Sequence, residues 1–269
     1  MSSWLYLKNL DEFMNRRNFI QATTLSAGAL GLSSPIHASP PQPTKGYSYS
    51  LPGFKQGEHL LFIGDSITDM QRSRRPYGRD QNHLLGHSYV FLIAARLGVE
   101  MAGHKIKVSN RGISGHKISD LRKRWPEDAI DPKPDLLSVL IGTNDVGKKV
   151  RPEDFEKDYR YVLDASRTAN PDLKMVLLDP FVLKSGGLGE EDAWKKRRSH
   201  TDNLRKVVQR LAKDYQALHL PMQDIFDEIV KSTPPEHWIW DGVHPLPAGH
   251  ELIARSWISA VSARWPKNT

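Results

Sequence analysis

The sequence predicts an α/β fold in which a parallel sheet is covered on both faces by helices, and three observations carry that prediction. Short runs of consecutive apolar residues, such as Leu60 to Ile63 and Met175 to Leu178, and the mainly apolar stretch from Asp135 to Ile141 read as strands buried on both faces. Longer stretches with helical apolar spacing separate them. The two kinds of segment alternate at a distance that implies βαβ crossovers.

Composition narrows the class. The chain has 269 residues, 39% of them hydrophobic and 26% charged, which suits one ordinary globular domain with a sizeable core. There is no cysteine, so the fold needs no disulfide. A formal net charge of +7 arises from charges scattered along the chain. No nucleic-acid-binding motif accompanies it, so no nucleic-acid partner is expected.

The first segment reads as an address. Asn15-Arg16-Arg17-Asn18-Phe19-Ile20-Gln21, the weakly apolar run from Ala22 to Leu32 and Ile36-His37-Ala38 together resemble a twin-arginine export signal. Residues 1–38 are therefore expected to be a leader, the twin-arginine machinery a partner, and the destination periplasmic or secreted. Met14 is a plausible alternative start. The apolar run is too short to span a bilayer, so no stable membrane insertion is expected. Residues 39–57, rich in Pro, Gly, Ser and Tyr, read as a linker or surface arm, and 58–269 as the folded domain.

Within that domain, Leu60 to Ile63 is the first strand and ends in Gly64-Asp65-Ser66. The segment from Gln71 to His87 is a loop crowded with Arg72, Arg74, Arg75, Arg79, His83 and His87, placed where it would rim a site. Ser88 to Leu97 is a helix with Gly98 suited to its C-cap. Ile106 to Val108 is a second strand, Asn110 to Gly115 a turn and Lys117 to Trp125 a helix. Asp135 to Ile141 is a third strand opening into Gly142-Thr143-Asn144-Asp145, which by itself reads as a turn. A helix over Glu153 to Thr168, a strand over Met175 to Leu178 and a loop to Leu188 come next. The chain then runs through a helix from Glu190 to Tyr215, a strand from Ala217 to Leu220 and helices over Gln223 to Val230 and Leu246 to Trp265. Neither Gly-x-Gly-x-x-Gly nor a Gly-Lys-Ser/Thr loop occurs, so no nucleotide cofactor is expected.

Four short blocks fall where strands end, which is where open α/β sheets bind ligands. Ser66, at the end of the first strand, is the candidate nucleophile. On the tripeptide alone, a turn in which Asp65 or Ser66 caps the next helix fits as well. A serine hydroxyl needs a base to take its proton during attack, and Asp241-Gly242-Val243-His244 supplies an imidazole with an acid three residues before it. Asp241 could fix the tautomer of His244 and stabilise the imidazolium. The alternative reading of the pair is a helix cap with a surface histidine, or two metal ligands, for which further ligands at ligand spacing would be needed and only His250 or Asp65 and Asp69 offer themselves. Asn144 offers a neutral NH₂ donor for an oxyanion, and Gly115 a backbone N–H that can approach closely.

Gly64-Asp65-Ser66, Ile113-Ser114-Gly115, Gly142-x-Asn144-Asp145 and Asp241-x-x-His244 occur in the order, and at about the separations, found in the SGNH (GDSL-type) hydrolase family, which this sequence resembles from about Leu60 to Trp257. The resemblance implies a flavodoxin-like three-layer α/β/α sandwich on a five-stranded parallel sheet for residues 58–269. It implies Ser66 as nucleophile, His244 as base and then acid, and Asp241 as its orienting partner. It also implies an oxyanion hole from the N–H groups of Ser66 and Gly115 and the Asn144 amide, with no metal or cofactor. Longer phrases, such as Trp240-Asp241-Gly242-Val243-His244-Pro245, are most similar to bacterial carbohydrate acetylesterases, acetylxylan esterases in particular.

The expected activity is removal of O-acetyl groups from polysaccharides or oligosaccharides. A short-chain lipid esterase, lysophospholipase or thioesterase on the same machinery is the alternative, and a non-catalytic glycan-binding protein ranks below both. Asp65, Arg72, Arg74 and Trp240 are the candidate substrate-binding residues, Trp240 as a sugar platform or else a core tryptophan. Basic rim residues such as Arg72, Arg74 and Arg79 would favour an acidic, uronate-bearing glycan; a merely solvated rim is the alternative.

Overall fold

A computed structural model describes residues 50–77 and 81–267. The expected leader, most of the expected arm and Arg79 lie outside the described residues. Five parallel strands, β1 (His59–Gly64), β2 (Lys107–Asn110), β3 (Leu136–Leu140), β4 (Lys174–Leu178) and β5 (Leu218–Leu220), form one sheet in the order β2-β1-β3-β4-β5. This is the flavodoxin-like order, with its switch point between β1 and β3.

Alternation along each strand sorts the core into two layers. Leu60, Phe62, Leu136, Leu140, Val176 and Leu178 face a layer built from α2 (Tyr89–Glu100), α7 (Met222–Ile229) and α8 (Pro247–Arg264). Leu61, Ile63, Leu137, Val139, Met175 and Leu177 face α3 (Ile118–Trp125), α5 (Pro152–Ala169) and α6 (Glu191–Asp214). The buried tryptophans on the two sides have polar partners: Trp257 donates to Ser138 Oγ at 3.0 Å and Trp125 to Ser166 Oγ at 2.9 Å. Among the described residues no helix is long and apolar enough to cross a membrane.

Three local expectations are corrected. Helix α2 does not stop at Gly98 but runs to Glu100, and Met101 closes it by donating to Leu97 O. Gly98 lacks the positive φ of a helix-ending glycine, so nothing there forces a stop. The described end of the expected arm, residues 50–57, is packed on the domain. Phe54 is buried in the core and Gly53 N–H donates to Trp265 O at 2.7 Å. Finally, the segment after Gly142 is not a plain turn but a short helix, α4 (Thr143–Gly147).

Candidate active site

Each strand near the switch point delivers one part of the site at its carboxyl end. β1 ends at Gly64, where a Cβ would lie 2.2 Å from Leu140 O and 2.5 Å from Thr68 Oγ1. Only glycine lets β1 and β3 close so tightly behind the helix that follows. That helix, α1 (Ser66–Asp69), begins with Ser66 and is capped by Asp65, whose Oδ1 accepts Ile67 N–H at 3.0 Å. Asp65 is thus fully buried under the site, and the expectation that it meets substrate is corrected. Burial pushes its carboxyl up to about 7, against the Ile67 N–H and the nearby His244, which pull it down.

The β2 exit forms a stapled loop. Gly112 N–H donates to Asn110 Oδ1 at 2.8 Å, and Asn110 Nδ2 donates to Thr68 O and Leu85 O at 2.6 and 2.8 Å. Asp69 Oδ2 accepts both Ser114 N–H and Ser114 Oγ–H, at 2.8 and 2.9 Å. These ties bind the loop to α1. Gly115 then turns outward at φ +82°, a conformation natural to glycine, and no described residue accepts its N–H or that of Ser66. From the β3 exit, Asn144 Nδ2 donates to His116 O at 3.0 Å, which holds the amide against the Gly115 loop and leaves its second N–H to give. Asp145 is buried beneath and accepts the first N–H of α3, from Ile118.

The last element comes from the chain before α8. Residues 239–245 close on themselves through a bridge between Ile239 and Pro245. Asp241 Oδ1 accepts Val243 N–H and His244 N–H at 3.0 and 2.7 Å, and its Oδ2 lies 2.6 Å from His244 Nδ1. Burial works against the charge, but these hydrogen bonds hold the Asp241 carboxyl below the usual carboxylate range. A carboxylate can only accept, so Nδ1 carries the proton and Nε2 is left to accept. Ser66 Oγ–H points at that nitrogen from 2.8 Å.

The structure brings Ser66, His244 and Asp241 into one hydrogen-bonded line, with Gly115 on the β2-exit loop and Asn144 at the start of α4 at the exits of the neighbouring strands. The other expected contacts divide. Trp240 is 59% exposed, so it is no core tryptophan, and its ring lies 6.1 Å from that of His244. Arg74 is half-exposed and pairs with Asp69 at 3.0 Å. Arg72 is corrected as an exposed rim residue: it is 8% exposed and its Nε donates to Gly112 O at 2.7 Å.

Sequence reading missed the braces. Arg197 of α6 donates to Thr143 O at 2.7 Å, beside Asn144; burial pushes its guanidinium down while the Asp241 charge pulls it back up. Ser185 Oγ–H donates to Ile239 O at 2.7 Å and Leu183 N–H to Gly242 O at 2.9 Å, tying the β4 exit to the Asp241 loop. Arg124 donates to Arg111 O at 2.8 Å and to His116 Nδ1 at 3.2 Å. Only Asp69, one turn after Ser66 on the same helix, had a local signal.

A hydroxyl aimed at an imidazole, an imidazole aimed at a carboxylate, and free N–H donors at a parallel-sheet switch point define the class: this is a carboxylic ester hydrolase of the serine type. A family model for GDSL-like lipases and acylhydrolases matches residues 62–252. The chain belongs to that family. It is 34% identical over 220 residues to the acetylxylan esterase of Geobacillus stearothermophilus, covering 79% of this chain and 97% of that protein. Among solved structures, Axe2, an acetylxylan esterase from the same organism, superposes with a TM-score of 0.69 at 32% identity, over 81% of this chain and 100% of that one. LAE5, an α/β hydrolase from the metagenome of Lake Arreo in Spain, gives a TM-score of 0.67 at 30% identity, over 78% and 97%. Catalytic mutants of Axe2 replace a serine, an aspartate and a histidine three residues beyond that aspartate.

Proposed function

We propose that this esterase removes O-acetyl groups from acetylated xylan-type polysaccharides or their oligosaccharides through an acetyl-Ser66 intermediate. The observation that carries the reading is the line from Ser66 Oγ to His244 Nε2 at 2.8 Å and from His244 Nδ1 to Asp241 Oδ2 at 2.6 Å. The likeness to acetylxylan esterases supports the substrate class.

In this mechanism His244 takes the Ser66 proton as Oγ attacks the acetyl carbonyl carbon. The N–H groups of Ser66, Gly115 and Asn144 receive the oxyanion. Asp241 stays ionised and stabilises the imidazolium. Collapse expels the sugar oxygen, which leaves as a hydroxyl with the proton from His244. Water, deprotonated in turn by His244, then attacks the acetyl-enzyme, and acetate departs as Ser66 regains its proton. Trp240, exposed beside His244, would carry a sugar ring.

Acetate release from acetylated xylan and xylo-oligosaccharides, run beside acetyl, butyryl and octanoyl p-nitrophenyl esters, tests the reading. Wild-type protein should release acetate and Ser66→Ala should not, while keeping its fold. Faster turnover of octanoyl than acetyl esters, with no acetate from any glycan, would transfer the reading to lipid or thioester substrates.

The proposal places the enzyme outside the cytoplasm, after export by the twin-arginine route. Its support is the run from Asn15 to Gln21 and the apolar stretch behind it. Cell fractionation of the protein with Arg16→Lys and Arg17→Lys checks this: cytoplasmic retention is expected, and unchanged export would refute the route.

A further inference from the structure

Beside the edge strand β2 and the chain leading into the Gly115 loop lies a cavity of about 240 Å³, lined by Arg72, Arg74, Arg111, Ser109 and Asn110 among others. Among the described residues no acidic side chain lines it. Arg72 is 8% exposed, its Nε is committed to Gly112 O, and no described residue accepts from its two terminal amino groups. A buried guanidinium with two unused donor groups, walled by two further arginines, is built to receive a planar anion in a fork. Among the described residues, Arg74 pairs with Asp69, and Arg111 reaches Asp128 only at 3.4 Å. Burial pushes Arg72 down to about 10, Asp69 pulling it up while Arg74 and Arg111 press further down. A bound anion would relieve that repulsion.

We propose that this cavity is a carboxylate subsite that takes a uronate unit of the acetylated glycan, so that the enzyme prefers acetyl groups placed near an acidic sugar. The inference rests on the glycan deacetylase reading of the Ser66 site. Position supports a substrate role. Arg111 and Gly115 are four residues apart on one loop, so at most about 14 Å of extended chain separates them. Arg74 is joined to that loop through one carboxylate oxygen, since Asp69 Oδ2 takes both Arg74 and Ser114. A single oligosaccharide can therefore reach both Ser66 and the arginines.

The test compares kcat/KM for acetate release from acetylated xylo-oligosaccharides with and without a uronate branch, in wild type and in Arg111→Gln. Arg111 is chosen because its backbone, not its side chain, holds the Gly115 loop. Taking the acidic-to-neutral ratio within each protein cancels any general loss of activity. Wild type should favour the uronate-bearing substrate by about tenfold, the weight of one charge-assisted contact, and Arg111→Gln should lose that preference, chiefly through KM. Equal ratios near one in both proteins would overturn the subsite while leaving the deacetylase reading intact. If neither glycan yields acetate while p-nitrophenyl acetate is cleaved, the deacetylase reading has failed. Calorimetric titration with glucuronate against glucose then decides the cavity: uronate-selective binding lost in Arg111→Gln supports it, and no binding overturns it.

Discussion

Replacing Asp241 by Asn separates what this residue does for structure from what it does for chemistry. Asp241 Oδ1 accepts two backbone N–H groups, from Val243 and His244, and an amide oxygen in the same place can accept both. The loop should keep its shape, with a melting temperature close to wild type. At the other oxygen, 2.6 Å from His244 Nδ1, the variant presents an NH₂ group that can only donate. His244 must then leave Nδ1 bare and carry its proton on Nε2, the atom that faces Ser66 Oγ from 2.8 Å. The base is blocked by its own proton, and the charge that stabilises the imidazolium is gone. Losing an orienting carboxylate in this way costs about 10⁴-fold in turnover, or about 5 kcal/mol of barrier. The assay is kcat on p-nitrophenyl acetate at neutral pH, with thermal unfolding as the control for fold. Asp241→Ala makes the contrast, since it also orphans the two backbone N–H groups and should unfold at a lower temperature. A rate for Asp241→Asn within tenfold of wild type would show that His244 does not depend on Asp241 for its tautomer, and the triad assignment would fall.

Two further outcomes follow from other parts of the site. Asn144→Ala removes one oxyanion donor and the tie to His116 O, so kcat should fall roughly 10²- to 10³-fold with little change in KM; a near-normal kcat would make Asn144 a purely structural residue. Asp145 has its carboxyl pushed up by burial to about 7. The unfolded chain has lost that proton by about pH 5, whereas the folded chain keeps it to about 7, so the group lowers stability as pH rises from about 4 to 7. Asp145→Asn still accepts Ile118 N–H but escapes this loss. Its melting temperature should therefore match wild type near pH 4 and exceed it at pH 8. A gap that does not widen with pH would show that Asp145 is ionised in the fold.

The fold was legible because its signals are local. Leu60 to Ile63 is apolar without a break, as a strand covered on both faces must be, and the structure buries all four residues. The hydrogen-bonded line of Ser66, His244 and Asp241 was legible for a similar reason: a histidine three residues after an aspartate, and a serine at a strand end, are short patterns with a chemical meaning. Gly98 misled because glycine permits a helix to end without requiring it. Arg72 and Asp65 misled because both types are mostly exposed, and nothing adjacent in sequence shows that Gly112 and Ile67 will enclose them.

The braces were hidden for a different reason, which bears on how the site works. Ser66, Gly115 and Asn144 leave neighbouring strands of one sheet, so β-pairing and the Asp69 and Asn110 ties hold them together. His244 and Asp241 leave no strand. Their loop is positioned by side chains and backbone from the β4 exit, Ser185 on Ile239 and Leu183 on Gly242. Those contacts link residues more than fifty positions apart, and none has a sequence pattern of its own. The proposed nucleophile and oxyanion donors are thus held by the sheet, whereas the proposed base is docked onto it through the exit of one strand. Changes at Ser185 should therefore weaken proton transfer by His244 before they disturb the oxyanion donors.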